Sequence, residues 1–237
     1  MWAAILVTVM AAILLIRPAT TNWTTIFAAA SRSVAPLQLT PPHEDWYGRP
    51  YKTICSAVNV ETFPRVLFIT EGHCVLEGHV QELAIEGAQA TVVWFDKDRD
   101  LVLLQVSRAD LNPRWWPMFF RNTSPRPGTP VGAIGYAFGV DAPTFSLGTV
   151  AHVPSTDDPA FQVMMQQMGI PSFRVPVLMF SLAVWGGHSG GIIVDAKGHG
   201  ITLVRMGGVT DSYSAPSEVI WKFLQDAKAR VRLMPLR

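Results

Sequence analysis

The sequence has few charged residues, only two cysteines and no long basic run. Of its 237 residues 16% are charged, against about 25% in an average soluble chain. Since 49% are hydrophobic, general disorder is excluded. The formal net charge is +1, so the composition gives no support to nucleic-acid binding. Cys55 and Cys74 are too few for a cysteine-rich structural zinc site, but they could form one disulfide.

An unbroken apolar run of fifteen residues, 2–16, opens the chain. It has the length of a long signal-peptide core and is shorter than the ~20 residues of a spanning helix. We expect residues 1–30 to be a signal peptide or a membrane anchor built on an N-terminal hydrophobic helix. A buried helix of the domain is the alternative. Residues 31–45 carry three prolines and are predicted to be an extended linker.

Eighteen glycines and eighteen prolines interrupt the chain, which favours many short elements joined by turns over a helical bundle. Runs rich in β-branched and aromatic residues predict strands at 66–70, 90–95, 101–106, 131–136, 145–152, 175–184 and 200–205. One good helix is predicted at Ser217–Val231, directly after Pro216. The pattern therefore predicts an all-β fold with a C-terminal helix, divided into two halves near residues 124–130.

The string GGHSGG places Ser189 between glycines, which allow a tight turn and leave backbone N–H groups free to face a developing oxyanion. It also satisfies G-x-S-x-G, the nucleophile elbow of α/β-hydrolases. That elbow needs a helix after the serine, whereas two strands joined by a turn are predicted here. The α/β-hydrolase order of serine, acid and histidine is not met either, because only His199 follows the serine. An α/β-hydrolase-type esterase is therefore the disfavoured alternative.

Two further motifs lie at the ends of apolar strands. TEGHC brings His73 after the strand VLFIT, and Asp100 opens the run LVLLQV. A serine nucleophile needs a base that accepts its proton and a carboxylate that fixes the tautomer of that base. His73, Asp100 and Ser189 follow the chain order of chymotrypsin-type enzymes. His79, in a second EGH string, competes as the base, and Asp96 and Asp98 compete as the acid.

With these motifs the sequence resembles the trypsin-like (chymotrypsin-fold) serine proteases, and within them the HtrA/Deg-like branch. Five segments between about residues 54 and 229 carry the resemblance in the family's order: ICSAVNV…VLFITEGHC, DLVLLQV, GTPVGAIGYAFGVDAPTFSLGTV, GGHSGGIIVDAKGHGITLV and YSAPSEVIWKFL. It implies a protease domain at 46–237 made of two six-stranded antiparallel β-barrels, at about 46–120 and 125–215. The helix at 217–231 follows them.

The resemblance also implies residue roles. His73, Asp100 and Ser189 would be the catalytic triad, and the N–H groups of Gly187 and Ser189 would form the oxyanion hole. The specificity pocket would lie near four residues and the loop 206–213; the four are Ala183, Leu203, Val204 and Arg205. Ala183 stands where trypsin has an acidic residue, so we expect a preference for small or medium apolar side chains. No metal or cofactor is needed for this chemistry.

The cysteines fit the same resemblance. In secreted trypsin-like proteases a cysteine directly after the catalytic histidine bonds to one on the preceding strand, which implies a Cys55–Cys74 disulfide. Two reduced, buried cysteines are the alternative. A disulfide would place the domain in an oxidising compartment. This outweighs the positive-inside rule, which would keep the domain in the cytoplasm because basic residues follow the apolar run and none precedes it.

The chain departs from the family in several places. His188 stands where relatives usually have Asp or Asn, and Gly186 and Ile192 stand where the HtrA-like branch often has proline. We expect no PDZ domain after the helix, because few residues remain. The HtrA-like oligomer and PDZ-gated regulation are therefore not carried over.

Together these observations predict a membrane-anchored or secreted serine endopeptidase that acts on protein or peptide substrates through an acyl-enzyme. It would contact the membrane through its N-terminal segment, with the protease domain outside the cytoplasm. The competing class is a catalytically inactive, protease-like binding protein. A viral or phage polyprotein-type protease would share the fold and chemistry and differ in substrate.

Overall fold

The computed structural model describes residues 21–44, 50–76, 82–110, 112–152, 163 and 176–233. These residues include thirteen strands, three α-helices and three single-turn 3-10 helices at Ser31–Ser33, Arg108–Asp110 and Ala137–Gly139. The α-helices are α1 (Trp23–Ala30), α2 (His73–Leu76) and α3 (Ser217–Arg232). None of the described helices combines the length and the apolar character that crossing a membrane requires.

The first sheet is a closed barrel with the strand order β1-β2-β3-β6-β5-β4, and its neighbouring strands are antiparallel. The strands are β1 (Val34–Glu44), β2 (Pro50–Glu61), β3 (Val66–Glu71), β4 (Glu82–Ile85), β5 (Ala88–Asp96) and β6 (Leu101–Val106). All six residues of β3 are buried. Phe68 of β3 packs inside the barrel, whereas Leu67 and Ile69 pack in the core shared with the second sheet and α3. Burial on both faces explains why this strand begins with four consecutive apolar residues, 66–69.

The second sheet has seven strands in the order β11-β10-β7-β8-β9-β13-β12. They are β7 (Pro130–Gly135), β8 (Thr144–His152), β9 (Leu178–Ser181), β10 (Ile192–Asp195), β11 (Gly200–Leu203), β12 (Met206–Gly207) and β13 (Ser212–Ser214). The predicted all-β double barrel with a C-terminal helix is thus confirmed. The two-residue β12 brings the second half to seven strands instead of six.

The predicted linker at 31–45 is corrected by the structure, because most of it is β1. This strand pairs with β2 and β4 and so closes the first barrel. Ala35 and Leu37 are fully buried inside the barrel. The register shifts around Gln38 and His43, next to two of the prolines, so the irregular part of the strand accommodates them. The prolines suggested a linker, whereas the alternate apolar residues form a strand.

The assignment of residues 1–30 to a signal peptide or membrane anchor is corrected for its last ten residues, which are part of the fold. Helix α1 packs on the second sheet, where the rings of Trp23 and Phe27 lie 5.9 and 5.3 Å from that of Phe145. Ala30 is buried in the shared core. Residues 21–30 therefore belong to the folded domain. The hydrophobic helix predicted from residues 2–16 lies outside the described residues.

Candidate active site

His73 and Asp100 meet where two neighbouring strands of the first barrel end. His73 begins α2 just after β3, and Asp100 precedes β6, which pairs with β3 along its whole length. The His73 Nδ1 atom lies 2.8 Å from Asp100 Oδ2, and the His73 backbone N–H donates to Asp100 Oδ1 at 2.7 Å. Asp100 has the left-handed φ of 55°, which is uncommon for a residue with a side chain. The carboxylate therefore holds both the ring and the backbone of the histidine.

Asp100 is ionised in this setting. Burial alone would raise the pKa of its carboxyl group, but the hydrogen bonds from His73 and the positive charges of His73 and Arg205 hold that pKa below its usual value. An ionised Asp100 accepts the Nδ1 proton of His73, which leaves Nε2 as the basic nitrogen. The competing Asp96 instead accepts hydrogen bonds from Arg99, and His79 lies outside the described residues.

Ser189 lies in the glycine-rich turn before β10. Its hydroxyl donates a hydrogen bond to the carbonyl of Arg205 at 3.1 Å, so its proton points to that oxygen in this conformation. Its own carbonyl accepts from the N–H of Ser56 on β2 at 2.7 Å. Gly190 has a φ of 77°, and a Cβ there would lie 2.1 Å from the Ser56 carbonyl oxygen. The turn thus needs glycine directly after the serine because it packs against the first barrel.

The backbone around Gly187 leaves two donors free beside the serine. The Gly186 carbonyl accepts from the N–H of Phe138 at 2.6 Å, and the Gly187 carbonyl accepts from the hydroxyl of Ser56 at 2.8 Å. Within the described part of the chain, the N–H groups of Gly187 and Ser189 donate no hydrogen bond. Two unpaired N–H groups in one turn are what an oxyanion hole requires.

His188 is fully buried in the middle of this turn. Its Nδ1 accepts from the N–H of Trp185 at 2.9 Å, and its Nε2 lies 2.7 Å from the hydroxyl of Thr144. That hydroxyl donates to the Gly135 carbonyl, so His188 donates from Nε2 and is neutral. Burial lowers the pKa of His188 to about 4. The ring therefore fixes the turn from inside, at the position where relatives usually have Asp or Asn.

The four residues predicted to form the specificity pocket are placed differently from one another. Leu203 is buried in the core shared by the two sheets, Val204 is buried in the core of the second sheet, and Ala183 is partly exposed. The Arg205 side chain points towards the first barrel, where Nε lies 3.1 Å from Glu71 Oε2 and 3.7 Å from Asp100 Oδ2. It therefore contacts the acid of the site rather than lining a pocket.

Glu71 was missed by the sequence analysis. It is the last residue of β3 and is fully buried. Burial raises its pKa to about 7, while Arg205 lowers it and Asp100 raises it. A charged residue at the end of an otherwise apolar buried strand was the available signal.

The predicted disulfide is confirmed. Cys55 and Cys74 are bonded with an S–S distance of 2.01 Å and Cα atoms 6.0 Å apart. The bond ties the residue after His73 to β2. Glu71, His73 and Asp100 bring potential ligand atoms within 4.8 Å of one another, but the Arg205 guanidinium beside two of them disfavours a cation.

Comparison with known proteins assigns the class. Residues 55–203, more than half of the chain, match the family model described as a trypsin-like peptidase domain. The chain therefore belongs to the trypsin-like peptidases, and HtrA-type serine proteases are among its structural neighbours. A search of curated proteins gives no match.

Three solved structures illustrate the likeness of fold. A mutant of Rv3671c from M. tuberculosis in an inactive form is 18% identical, with a TM-score of 0.64 over 93% of this chain and 96% of that one. The HtrA-type protease AlgW with a decapeptide is 20% identical, with a TM-score of 0.66 over 88% of this chain and 68% of that one. The serine endoprotease from Yersinia pestis is 16% identical, with a TM-score of 0.63 over 87% of this chain and 66% of that one.

Proposed function

We propose that this peptidase is a serine endopeptidase with the triad His73, Asp100 and Ser189. The hydrogen bond of 2.8 Å between His73 Nδ1 and Asp100 Oδ2 carries the proposal. It leaves Nε2 available as a base on a histidine whose backbone is held by the same carboxylate. The serine turn with two unpaired N–H groups supplies the other half of the chemistry.

In this mechanism Ser189 Oγ attacks the carbonyl carbon of the scissile peptide while its proton passes to His73 Nε2. The Ser189 hydroxyl donates to the Arg205 carbonyl in this conformation, so it must leave that acceptor before its proton can pass to the histidine. The N–H groups of Gly187 and Ser189 stabilise the oxyanion. The protonated His73 then gives its proton to the leaving amine, and water, activated by the same base, hydrolyses the acyl-enzyme.

We infer a peptide substrate with small or medium apolar side chains at the cleavage site. Ala183, partly exposed beside the serine turn, offers no charge that would recognise a basic side chain. AlgW, a neighbour in fold, is described with a bound decapeptide, which is consistent with an extended peptide as the substrate here.

A fluorophosphonate probe tests the activity directly, because it labels only a serine activated by a base. We expect the folded protein to be labelled on Ser189 and the Ser189→Ala variant not to be labelled. The orientation of the Ser189 hydroxyl towards Arg205 favours the competing function, an inactive protease-like binding protein. Folded wild-type protein that remains unlabelled over a range of pH would establish that alternative.

The location is part of the proposal. The Cys55–Cys74 disulfide supports a protease domain in an oxidising extracytoplasmic compartment, held at a membrane or secreted through the apolar segment 2–16. The mass of the protein, isolated from its natural source without reductant, tests the oxidising compartment and the fate of the N-terminal segment. An intact chain with the disulfide supports an anchored protein, an N-terminally shortened chain supports a secreted one, and two free thiols contradict the compartment.

A further inference from the structure

A buried pair of opposite charges lies beside the proposed triad. Glu71 Oε2 accepts from Arg205 Nε at 3.1 Å, and the two side chains are 0% and 3% exposed. Removing both charges from water carries a large desolvation cost, and a buried ion pair is often no more stabilising than apolar residues of similar size. The pair joins the first barrel to the second, but apolar packing could make that connection as well.

The position of Arg205 suggests what the pair does. Its Nε lies 3.7 Å from Asp100 Oδ2, and its guanidinium donates to the carbonyl of Arg99, the residue before Asp100. Its own carbonyl accepts the hydroxyl hydrogen of Ser189. A single residue thus contacts the acid through its side chain and the nucleophile through its backbone.

We propose that Glu71 and Arg205 are positioning residues that keep Asp100 in hydrogen-bonding position to His73 and determine the net charge that lies close to the histidine. This inference rests on the proposed function. Arg205 fixes the turn that presents Asp100, and Glu71 fixes the direction of the guanidinium. The pair adds no net charge to the site when both members are ionised.

The charges act on His73 in opposite directions. A positive Arg205 disfavours a second positive charge on His73, and a negative Glu71 favours it. Among the described residues, the charged groups nearest the histidine are Glu71 at the end of β3, Asp100 before β6 and Arg205 after β11. Arg99 lies behind them and is itself paired with Asp96 of β5 and with Asp226 of α3, at 2.9 and 3.8 Å.

Three variants in the Ser189→Ala background test this proposal: Glu71→Gln, Arg205→Gln and the double variant. The pH midpoint of His73 protonation is measured by NMR of the histidine side chains, with His73→Gln identifying its signal among the six histidines. We expect Arg205→Gln to raise the midpoint by on the order of one pH unit. Glu71→Gln should lower it by a smaller amount, because burial raises the pKa of Glu71 to about 7 and the carboxyl is therefore partly protonated near neutral pH. The double variant should lie between the two single variants.

Glu61→Gln is the matched control. Glu61 is a partly buried carboxylate of the same barrel, 3.3 Å from Lys228. It pairs with Leu67, four residues before Glu71 and so about 13 Å away along β3. This variant should leave the His73 midpoint unchanged.

A purely structural pair would lower the stability of the variants and leave the His73 midpoint in place, and this result would overturn the proposal. If Arg205→Gln does not fold, Glu71→Gln decides, because glutamine keeps the shape of the side chain. An unmoved midpoint in folded Glu71→Gln refutes the assignment. The measurement needs no cleavage, so a wild-type protein that fails to react with fluorophosphonate refutes the proposed function and leaves this result standing.

Discussion

Replacement of His188 by asparagine should change the way in which the stability of the protein depends on pH. The buried ring accepts from the Trp185 N–H at Nδ1 and donates to Thr144 at Nε2. A second ring proton would have to sit on Nδ1, against the N–H that already points there. Asparagine does not titrate, and it is one of the two residue types usual at this position in the family that the sequence resembles.

The magnitude follows from the two pKa values of the histidine. Burial lowers the pKa of His188 from its ordinary 6.5 to about 4 in the folded protein. Between these values the unfolded chain binds more protons than the folded chain, so stability is lost as the pH falls through this window. A shift of about 2.5 units at 1.36 kcal/mol each gives a loss on the order of 3 kcal/mol between pH 7 and pH 4.

Urea unfolding followed by tryptophan fluorescence at several pH values measures this loss. The His188→Asn variant should be less stable than the wild type at pH 7, by about 1–3 kcal/mol for imperfectly replaced buried hydrogen bonds. Its stability should then fall less steeply towards pH 4. Glu71, whose pKa is raised, contributes in the opposite sense, but it does so in both proteins and cancels in the difference. Parallel stability curves for the two proteins would refute the assignment of a neutral, buried His188.

Three further outcomes are expected. Gly187→Ala should lower the rate of fluorophosphonate labelling at least about 100-fold without unfolding the protein. The reason is that a Cβ at this φ of 94° would lie 2.2 Å from the Tyr136 carbonyl oxygen and would displace one oxyanion donor. An unchanged labelling rate would show that Gly187 is not part of the oxyanion hole. The double variant Cys55→Ala/Cys74→Ala should lose about 3 kcal/mol in urea unfolding, the value for a loop closed over 19 residues, and an equal stability would contradict that estimate. A chain that starts at residue 21 should give the circular dichroism spectrum of the full domain, whereas one that starts at residue 46 lacks β1 and should not fold. A folded 46–237 chain would show that residues 31–45 are dispensable, as the predicted linker would be.

The fold was predictable where one pattern dominated the sequence. β3 and β6 each begin with four consecutive buried apolar residues, so their positions and the residues at their ends followed from the sequence. β1 carries a weaker pattern, because Ala35 and Leu37 are buried next to the partly buried Pro36 and Gln38 and two more prolines follow. Only the pairing with β2 and β4 makes this segment a strand, and pairing between distant segments is not visible in local composition.

The part of the candidate site that lies at the ends of buried strands was predictable from the sequence in the same way. His73 and Asp100 could be chosen because each lies at the end of a buried strand, and their hydrogen bond follows from the pairing of β3 with β6. The direction of the Arg205 side chain could not be predicted, since it depends on a carboxylate 134 positions away in the other half of the chain. Two buried residues of opposite charge have no sequence signal for each other.

The two halves of the site are fixed by groups that respond to acid at different pH values. Burial raises the pKa of Glu71 to about 7, so near neutral pH a proton on Glu71 leaves Arg205 acting on Asp100 alone. Burial lowers the pKa of His188 to about 4, so the neutral His188 ring continues to hold the serine turn until the solution is far more acidic. Acid should therefore change the electrostatics of the His73–Asp100 pair first and the geometry of the serine turn only afterwards. Because the two groups lie in different barrels and titrate in separate windows, a single midpoint for both changes would mean that the barrels respond as one unit.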